Sequence, residues 1–242
     1  MKIKILRSPN YSSKQRKSSQ INFLVIHYTG MQSERECLKR LTDEKSQVST
    51  HYLINQKGNL IKMVEEKNIA WHSGKSKWKN FINLNKRSIG IELVNKGHEF
   101  GYENFSKKQM NKLILICKLL MKKYRIKQSN ILGHSDIAPL RKIDPGEKFP
   151  WQTLSKKKIG YWHNVDKKKY KTHNLKNKNI RNYFFSNLYK IGYRYFDKKK
   201  SSNSDSKVVK AFQRRFRQDK VDGLIDIECL QISHNLASFQ KN

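Results

Sequence analysis

Acidic residues are scarce in this 242-residue chain: 19 Asp and Glu stand against 52 Lys and Arg, which gives a formal net charge of +33. Such an excess favours partners or substrates that carry negative charge. The lysines are nevertheless spread along the whole chain and often alternate with Asn and Ile, a composition that an A+T-rich coding genome also produces. Because no segment resembles a nucleic-acid recognition motif, we expect no nucleic-acid partner.

Cysteines are also few, and long apolar runs are missing. Cys37, Cys117 and Cys229 lie far apart, are odd in number and form no CxxC pair, which argues against a disulfide framework or a thiolate metal cluster. We expect reduced, half-buried thiols. No run approaches the roughly 18 apolar residues of a membrane helix, so no membrane span is expected.

The amino end of the chain and the missing repeats bear on location and assembly. The first 17 residues are basic but lack the apolar stretch of a secretory signal. This favours a cytoplasmic location, with a periplasmic or envelope-associated location as the alternative. No heptads occur, so a monomer is the default expectation.

Composition and periodicity divide the chain into four parts. Residues 1–20 are polar and basic and are expected to form a loosely attached lead-in. Residues 21–162 alternate strand and helix patterns, as expected of an α/β domain. Residues 163–178 are rich in Lys and Asn and are expected to be a linker. Residues 179–242 contain three apolar patterns with helical spacing, which predict a compact three-helix domain.

Within these parts, the periodicity predicts individual elements. The predicted strands are 21–26, 51–54, 60–64, 88–94 and 131–132, and the predicted helices are 33–42, 106–124, 180–193, 207–216 and 226–237. Ser106 and Gln109 are expected to form a capping box at the start of the longest helix.

The segment 133–146, GHSDIAPLRKIDPG, concentrates polar groups in a short loop. Its two prolines exclude a helix that runs through the whole segment. His134 follows a short apolar strand, and Asp144 lies far enough along the chain to turn back beside it. Lys142 and Asp144 are two residues apart, so an extended backbone would direct both side chains the same way. An imidazole, a carboxylate and a nearby cation are three parts of a hydrolytic zinc site.

Two other segments supply the parts that this loop lacks. His27 ends the strand 21–26 and offers a second imidazole, although a lone buried histidine is more often bonded to backbone. Glu92 lies between apolar neighbours in the strand 88–94, where an unpaired carboxylate would be costly. It therefore needs either a metal-bound water or a basic partner, such as Arg87 or a lysine.

Histidines also occur outside this set. His51 begins the predicted strand 51–54, and the turn after 69–70 presents Trp71 and His72. For both histidines, a structural or cleft-lining role is as plausible an interpretation as direct chemistry.

Five segments resemble, in order and spacing, the zinc-dependent N-acetylmuramoyl-L-alanine amidases, a family that includes the AmpD and AmiD types. They are FLVIHYTG (23–30), STHYLI (49–54), AWHSG (70–74), SIGIELVN (88–95) and GHSDIAPLRKIDPG (133–146). In the tail, VVKAFQRRFRQDKVDGLID (208–226) resembles the helical peptidoglycan-binding module of AmiD-type enzymes.

The resemblance implies an α/β fold in which helices flank a mixed central β-sheet, followed by the small three-helix domain. It places the ligands of a Zn²⁺ cofactor on His27, His134 and Asp144, the catalytic glutamate on Glu92 and the catalytic lysine on Lys142. The implied reaction is hydrolysis of the amide between the lactyl group of N-acetylmuramic acid and L-alanine, in peptidoglycan or anhydro-muropeptides. The alternative is a non-catalytic peptidoglycan or muropeptide binder, which is disfavoured because all five side chains are present.

The resemblance also implies substrate contacts and shows one departure. Trp71 is expected to form an apolar wall beside the sugar or peptide, and Arg141 to attract stem-peptide carboxylates; His51 and His72 complete the expected contacts. Phage enzymes of the family place a tyrosine where this chain has Thr50, so the proton chemistry falls to Glu92.

Overall fold

The structure is a computed structural model that describes residues 3–166 and 180–239, so most of the predicted linker 163–178 lies outside the described residues. The strands are β1 (Lys4–Ile5), β2 (Tyr11–Ser12), β3 (Phe23–Tyr28), β4 (Tyr52–Ile54), β5 (Leu60–Lys62), β6 (Ile69–Ala70), β7 (Lys77–Trp78), β8 (Phe81–Ile82), β9 (Ser88–Leu93) and β10 (Ile131–Gly133). The helices are α1 (Glu34–Thr42), α2 (Gly97–Phe100), α3 (Lys107–Tyr124), α4 (His134–Ile137), α5 (Trp151–Lys156), α6 (Ile180–Ile191), α7 (Asp205–Phe216) and α8 (Ile227–Ser238).

A six-stranded mixed sheet organises the fold, in the order β1-β5-β4-β9-β3-β10. β4, β9, β3 and β10 run parallel, whereas β5 is antiparallel to β4. β9 therefore lies in the interior of the sheet, as its apolar flanks predict. The predicted α/β class with a mixed central sheet and flanking helices is confirmed.

Side chains alternate between the two faces of the sheet, and each face has its own core. Ile89, Ile91 and Leu24 belong to a cluster with α3 and α5. Phe23 and Val25 belong to a cluster with the three carboxyl-terminal helices on the opposite face. Because both faces are covered, the central strands are buried and nearly continuous in apolar character.

The amino-terminal segment departs from the sequence-based expectation. β1 pairs in parallel with β5, and β2 pairs antiparallel with β6. The guanidinium of Arg16 is buried and donates to the carbonyls of Glu66 and Ser88 at 3.0 and 2.7 Å. The prediction of a loosely attached lead-in is therefore wrong for the described residues, because backbone pairing and a buried arginine hold this segment.

The carboxyl-terminal part contains the three predicted helices, α6, α7 and α8. The prediction left open whether they pack against the preceding domain, and the structure shows that they do. The rings of Trp78 and Tyr193 meet edge to face with centroids 5.0 Å apart. A buried ion pair also joins Arg215 of α7 to Asp136 of α4. Peptidoglycan binding by these helices stays a prediction.

Two local details differ from the sequence prediction. The hydroxyl of Ser106 accepts from the backbone N–H of Gln109 at 3.1 Å, but the Gln109 side chain donates to the carbonyls of Ile54 and Val94 instead of completing a capping box. The loop 133–146 begins with the single helical turn α4 before its prolines.

The three cysteines are free thiols and are fully buried rather than half-buried. Among the described residues, no helix combines the length and the apolar character that crossing a bilayer requires.

Candidate metal centre and active-site cleft

The candidate site lies where three parallel strands end. In β3 and β9, His27 is the register partner of Glu92, so the two side chains project from the same face. Gly133 of β10 pairs with Ile26, which places His134 directly beside the end of β3. Carboxyl ends of parallel strands meet at one edge of a sheet, which is the usual place for a ligand site in such folds.

Three potential ligand atoms converge at this edge. Nδ1 of His27 lies 3.0 Å from Nδ1 of His134 and 3.0 Å from Oδ2 of Asp144, and the last two atoms are 3.1 Å apart. Ligand atoms of a tetrahedral zinc ion with bonds of 2.0–2.1 Å lie about 3.3 Å apart. The spacing of the three atoms therefore suits one small divalent ion.

The protonation of this cluster also fits a cation. Nε2 of His134 lies 3.1 Å from the carbonyl oxygen of Ser73, which can only accept, so this nitrogen carries the proton and Nδ1 presents a lone pair. Burial, with His134 nearby, lowers the pKa of His27 to about 4, so its ring is neutral at pH 7. Burial opposes ionisation of Asp144, but its contacts with the two histidines outweigh this effect and hold the carboxyl pKa well below the usual range.

Glu92 projects into the same cleft from the interior strand β9. Burial, followed by the neighbouring charge of Asp144, raises the pKa of its carboxyl to about 8, and Lys142 opposes the shift. Its Oε2 atom is buried and has no hydrogen-bond partner among the described residues. A carboxylate oxygen of this kind, next to three metal-ligand atoms, suits a water molecule held between them, and it disfavours the salt-bridge alternative.

Comparison with known proteins agrees with this geometry. The family model for N-acetylmuramoyl-L-alanine amidase matches residues 17–147, which contain every residue of the cluster. This chain belongs to the N-acetylmuramoyl-L-alanine amidase family.

Individual relatives and solved structures extend the comparison beyond the matched region. N-acetylmuramoyl-L-alanine amidase AmiD of Escherichia coli strain K12 is 42% identical over 154 residues, which cover 59% of this chain and 55% of AmiD. The chain thus matches about half of the length of that curated relative. In three dimensions, E. coli AmiD in complex with anhydro-N-acetylmuramic acid-L-Ala-D-gamma-Glu-L-Lys superposes with a TM-score of 0.78 and 32% identity, covering 94% of this chain and 93% of that one. AmpDH3 of Pseudomonas aeruginosa in complex with anhydromuramic pentapeptide gives 0.80 and 28%, with coverage of 97% and 98%.

The amidase cleft has a volume of about 450 Å³ and is lined by most of the residues expected from the sequence. Lys142, which is partly exposed, lines it together with Glu92 and Asp144. Trp71 also lines the cleft, with its indole nitrogen 3.2 Å from the Ser12 hydroxyl. Lys142 is thus available to a substrate, and Trp71 forms part of the wall.

The other three expected contacts are engaged by protein groups. His51 is fully buried, accepts from the N–H of Gly90 at 3.0 Å and lies outside the residues that line the cleft, so we no longer propose it as a substrate contact. Arg141 directs its guanidinium to the carbonyls of Ser73 and Lys75. His72 is largely buried, lines the cleft and places its Nδ1 3.0 Å from Nε2 of His27. The polar atoms of these three side chains form hydrogen bonds within the protein around the site.

Thr50, the departure from the family pattern, does not reach the cleft, whereas Tyr28 and Asn85 contribute to the site although the sequence did not indicate them. Thr50 donates to the carbonyl of Gly90 at 2.9 Å and is buried, so its hydroxyl faces the sheet rather than the cleft. The Tyr28 hydroxyl lies 2.9 Å from Nδ1 of His98, and both residues line the cleft. Asn85 accepts hydrogen bonds from the backbone of the turn that carries His72. This role is visible only in the structure, because Asn85 is 13 residues away from His72 in the chain.

The raised pKa of Glu92 predicts a pH-dependent stability for the metal-free protein. Between about pH 4.5 and 8 the folded state retains a proton on Glu92 that the unfolded chain releases, so this group lowers stability as pH rises through that window. Glu92→Gln cannot ionise, so relative to the wild type its free energy of unfolding should rise by about 4 kcal/mol at pH 8 but by little at pH 4.5. Urea unfolding of both chelator-treated proteins at these pH values measures the difference, and a difference that is independent of pH would contradict the prediction.

Proposed function

We propose that this protein is a zinc-dependent amidase that hydrolyses the bond between the lactyl group of N-acetylmuramic acid and L-alanine. The convergence of the His27, His134 and Asp144 ligand atoms within 3.1 Å of one another carries this proposal, since all three lie inside the matched family region. The ligand set is two imidazoles and one carboxylate, and the cleft leaves its remaining side open.

Zinc bound here would supply Lewis acidity, which makes a water molecule easier to deprotonate near neutral pH and polarises a carbonyl group. The chain's own contribution is to hold three ligand atoms in fixed positions. The pKa of His27 is low and that of Asp144 is also depressed, so both present the deprotonated form that metal binding requires at pH 7.

Glu92 is the proposed proton carrier. Its carboxylate removes a proton from the attacking water as the water oxygen bonds to the amide carbon. The same group then gives that proton to the alanine nitrogen as the carbon–nitrogen bond breaks. Burial raises the pKa of this carboxyl, which favours its uptake of the proton from water before it passes the proton on.

Lys142 is the proposed electrostatic partner of the developing oxyanion. It lines the same cleft as Glu92 and is only partly exposed, so its ammonium group acts with limited competition from water. The charge on the carbonyl oxygen grows as the tetrahedral species forms, so this interaction strengthens during the reaction.

Lys142→Ala is expected to lower kcat by about 10²–10³-fold while zinc content stays at the wild-type level. The reason is that Lys142 contacts the reacting group and is not one of the three ligands. Steady-state hydrolysis of an anhydro-muropeptide together with metal analysis measures both quantities. Lys118→Ala, on the exposed face of α3, is the matched control. An unchanged kcat in Lys142→Ala would remove the lysine from the proposed mechanism.

The substrate class follows from the same proposal. E. coli AmiD and AmpDH3 were both solved with anhydromuramic peptides, which supports muropeptides or peptidoglycan as the substrate of this chain. Incubation with an anhydro-muropeptide and with intact sacculi, each with and without a zinc chelator, tests activity and preference together. Release of free L-alanyl peptide that stops with chelator supports the enzyme. Binding without release supports the non-catalytic receptor instead. A cytoplasmic location stays a prediction.

A further inference from the structure

The turn that follows β6 contacts both histidines of the metal centre. Nε2 of His27 lies 3.0 Å from Nδ1 of His72, and Nε2 of His134 lies 3.1 Å from the carbonyl oxygen of Ser73. His72 and Ser73, which are adjacent in the chain, thus offer hydrogen-bond acceptors to the Nε2 atoms of the two ligand histidines. This inference rests on the metal site of the proposed function.

A chain of hydrogen bonds determines which ring nitrogen of His27 carries the proton. The Leu84 carbonyl can only accept, so the hydroxyl of Ser88, 2.6 Å away, must donate to it. The Ser88 oxygen then accepts from Nε2 of His72 at 3.1 Å, which leaves Nδ1 of the neutral His72 ring as an acceptor. His27 must therefore carry its proton on Nε2, and its Nδ1 lone pair faces His134 and the site.

Asn85 holds this turn in place. Its Oδ1 atom accepts three hydrogen bonds, from the N–H groups of His72 and Ser73 at 3.1 and 2.7 Å and from the Ser73 hydroxyl at 2.8 Å. β9 leaves room for the ring of His72, because a Cβ on Gly90 would lie 2.5 Å from its Cγ. The guanidinium of Arg141 adds a further bond to the Ser73 carbonyl.

We propose that His72 and Asn85 are positioning residues of the metal site. His72 fixes the tautomer and ring orientation of His27, and Asn85 holds both His72 and the Ser73 carbonyl that orients His134. Neither residue is a metal ligand. Outer groups of this kind typically change metal affinity by about 10–100-fold.

The first test compares two substitutions of Asn85 in the full-length protein. Asn85→Ala removes the shared acceptor, and the zinc dissociation constant, measured by competition with a chromophoric chelator, should rise by about 10–100-fold. Asn85→Asp keeps a side-chain oxygen in the same place and should retain an affinity close to that of the wild type. Rescue by Asp but not by Ala separates positioning from a general loss of packing.

The second test uses His72 and does not depend on the folding of the Asn85 variants. The side-chain oxygen of Asn is separated from Cα by the same number of bonds as Nδ1 of His, so His72→Asn keeps the acceptor for His27, whereas His72→Leu removes it. His72→Leu should lose about 10–100-fold in zinc affinity and alter the visible absorption spectrum of the cobalt-substituted protein. His72→Asn should recover most of both properties.

The outcomes separate this inference from the proposed function. Wild-type protein that binds zinc and hydrolyses muropeptide, with Asn85→Ala and His72→Leu binding zinc as tightly, would overturn only the positioning roles. Wild-type protein that binds no zinc would overturn both proposals. Equal losses in His72→Asn and His72→Leu would overturn the acceptor role of His72.

Discussion

Glu92→Gln is expected to lower kcat by about 10²–10⁴-fold while zinc remains bound at one ion per chain. Gln keeps the size of the side chain and one carbonyl oxygen, but it can neither take the proton from water nor return it to the alanine nitrogen. The three ligand atoms belong to other residues, so the ion should stay. Steady-state kinetics with an anhydro-muropeptide and metal analysis of the same samples measure the two effects.

The control for this experiment is Glu36→Gln, which removes the same charge from an exposed position on α1. It should leave kcat within the error of the wild type. If Glu92→Gln hydrolyses the substrate at the wild-type rate, another group moves the proton, and Tyr28, which also lines the cleft, becomes the next residue to test. If it loses zinc as well as activity, the proton role is not separated from metal binding and the prediction fails.

The convergence of the site's side chains could be predicted because local sequence patterns show where strands end. His27 ends an apolar strand, His134 follows another, and Glu92 interrupts a third, so each stands at a place where a parallel sheet presents side chains to a common edge. The prolines of the loop 133–146 identified an irregular segment that returns Asp144 to His134. The structure brings all of these residues together.

The surroundings of the site could not be predicted in the same way, because they depend on contacts between distant segments. His51 and His72 look alike in sequence, since each adjoins a short apolar run. Yet the ring of His51 accepts a hydrogen bond from the N–H of Gly90 inside the sheet, whereas the ring of His72 contacts that of His27. Asn85 reads as an ordinary polar loop residue. Gly90 was the one residue that could have indicated the histidines packed against β9, because a single glycine inside a strand often marks a close approach by another group.

The fold shows the same division between local and distant information. Helices α6, α7 and α8 were predicted from their apolar spacing, but their docking was not. Tyr193 and Arg215 reach Asp136 from 57 and 79 residues away, and no periodic pattern connects these positions. The Tyr193 hydroxyl donates to Oδ1 of Asp136 at 2.6 Å, and Arg215 and the N–H of Gly133 donate to Oδ2.

This docking predicts that Arg215→Met lowers the free energy of unfolding by about 3–5 kcal/mol. The Asp136 carboxylate is buried and would lose the cation that balances it, and the Arg215 guanidinium would no longer stack on Trp151 at 4.2 Å or donate to the Ile131 carbonyl at 2.9 Å. Because the three helices share one core with β3, helices and sheet should still unfold in a single transition. Urea unfolding followed by circular dichroism and tryptophan fluorescence measures both points.

A matched control is Lys62→Met, since Lys62 pairs with the exposed Glu65 and its loss should cost less than about 1 kcal/mol. The double variant Asp136→Asn with Arg215→Met removes both charges, so its cost should be smaller than the sum of the two single losses. Strict additivity would show that the ion pair is not the source of the effect. Two separate transitions in the wild type would show that the carboxyl-terminal helices unfold independently of the sheet. Their contact with Asp136 in the loop 133–146 would then not couple the two parts.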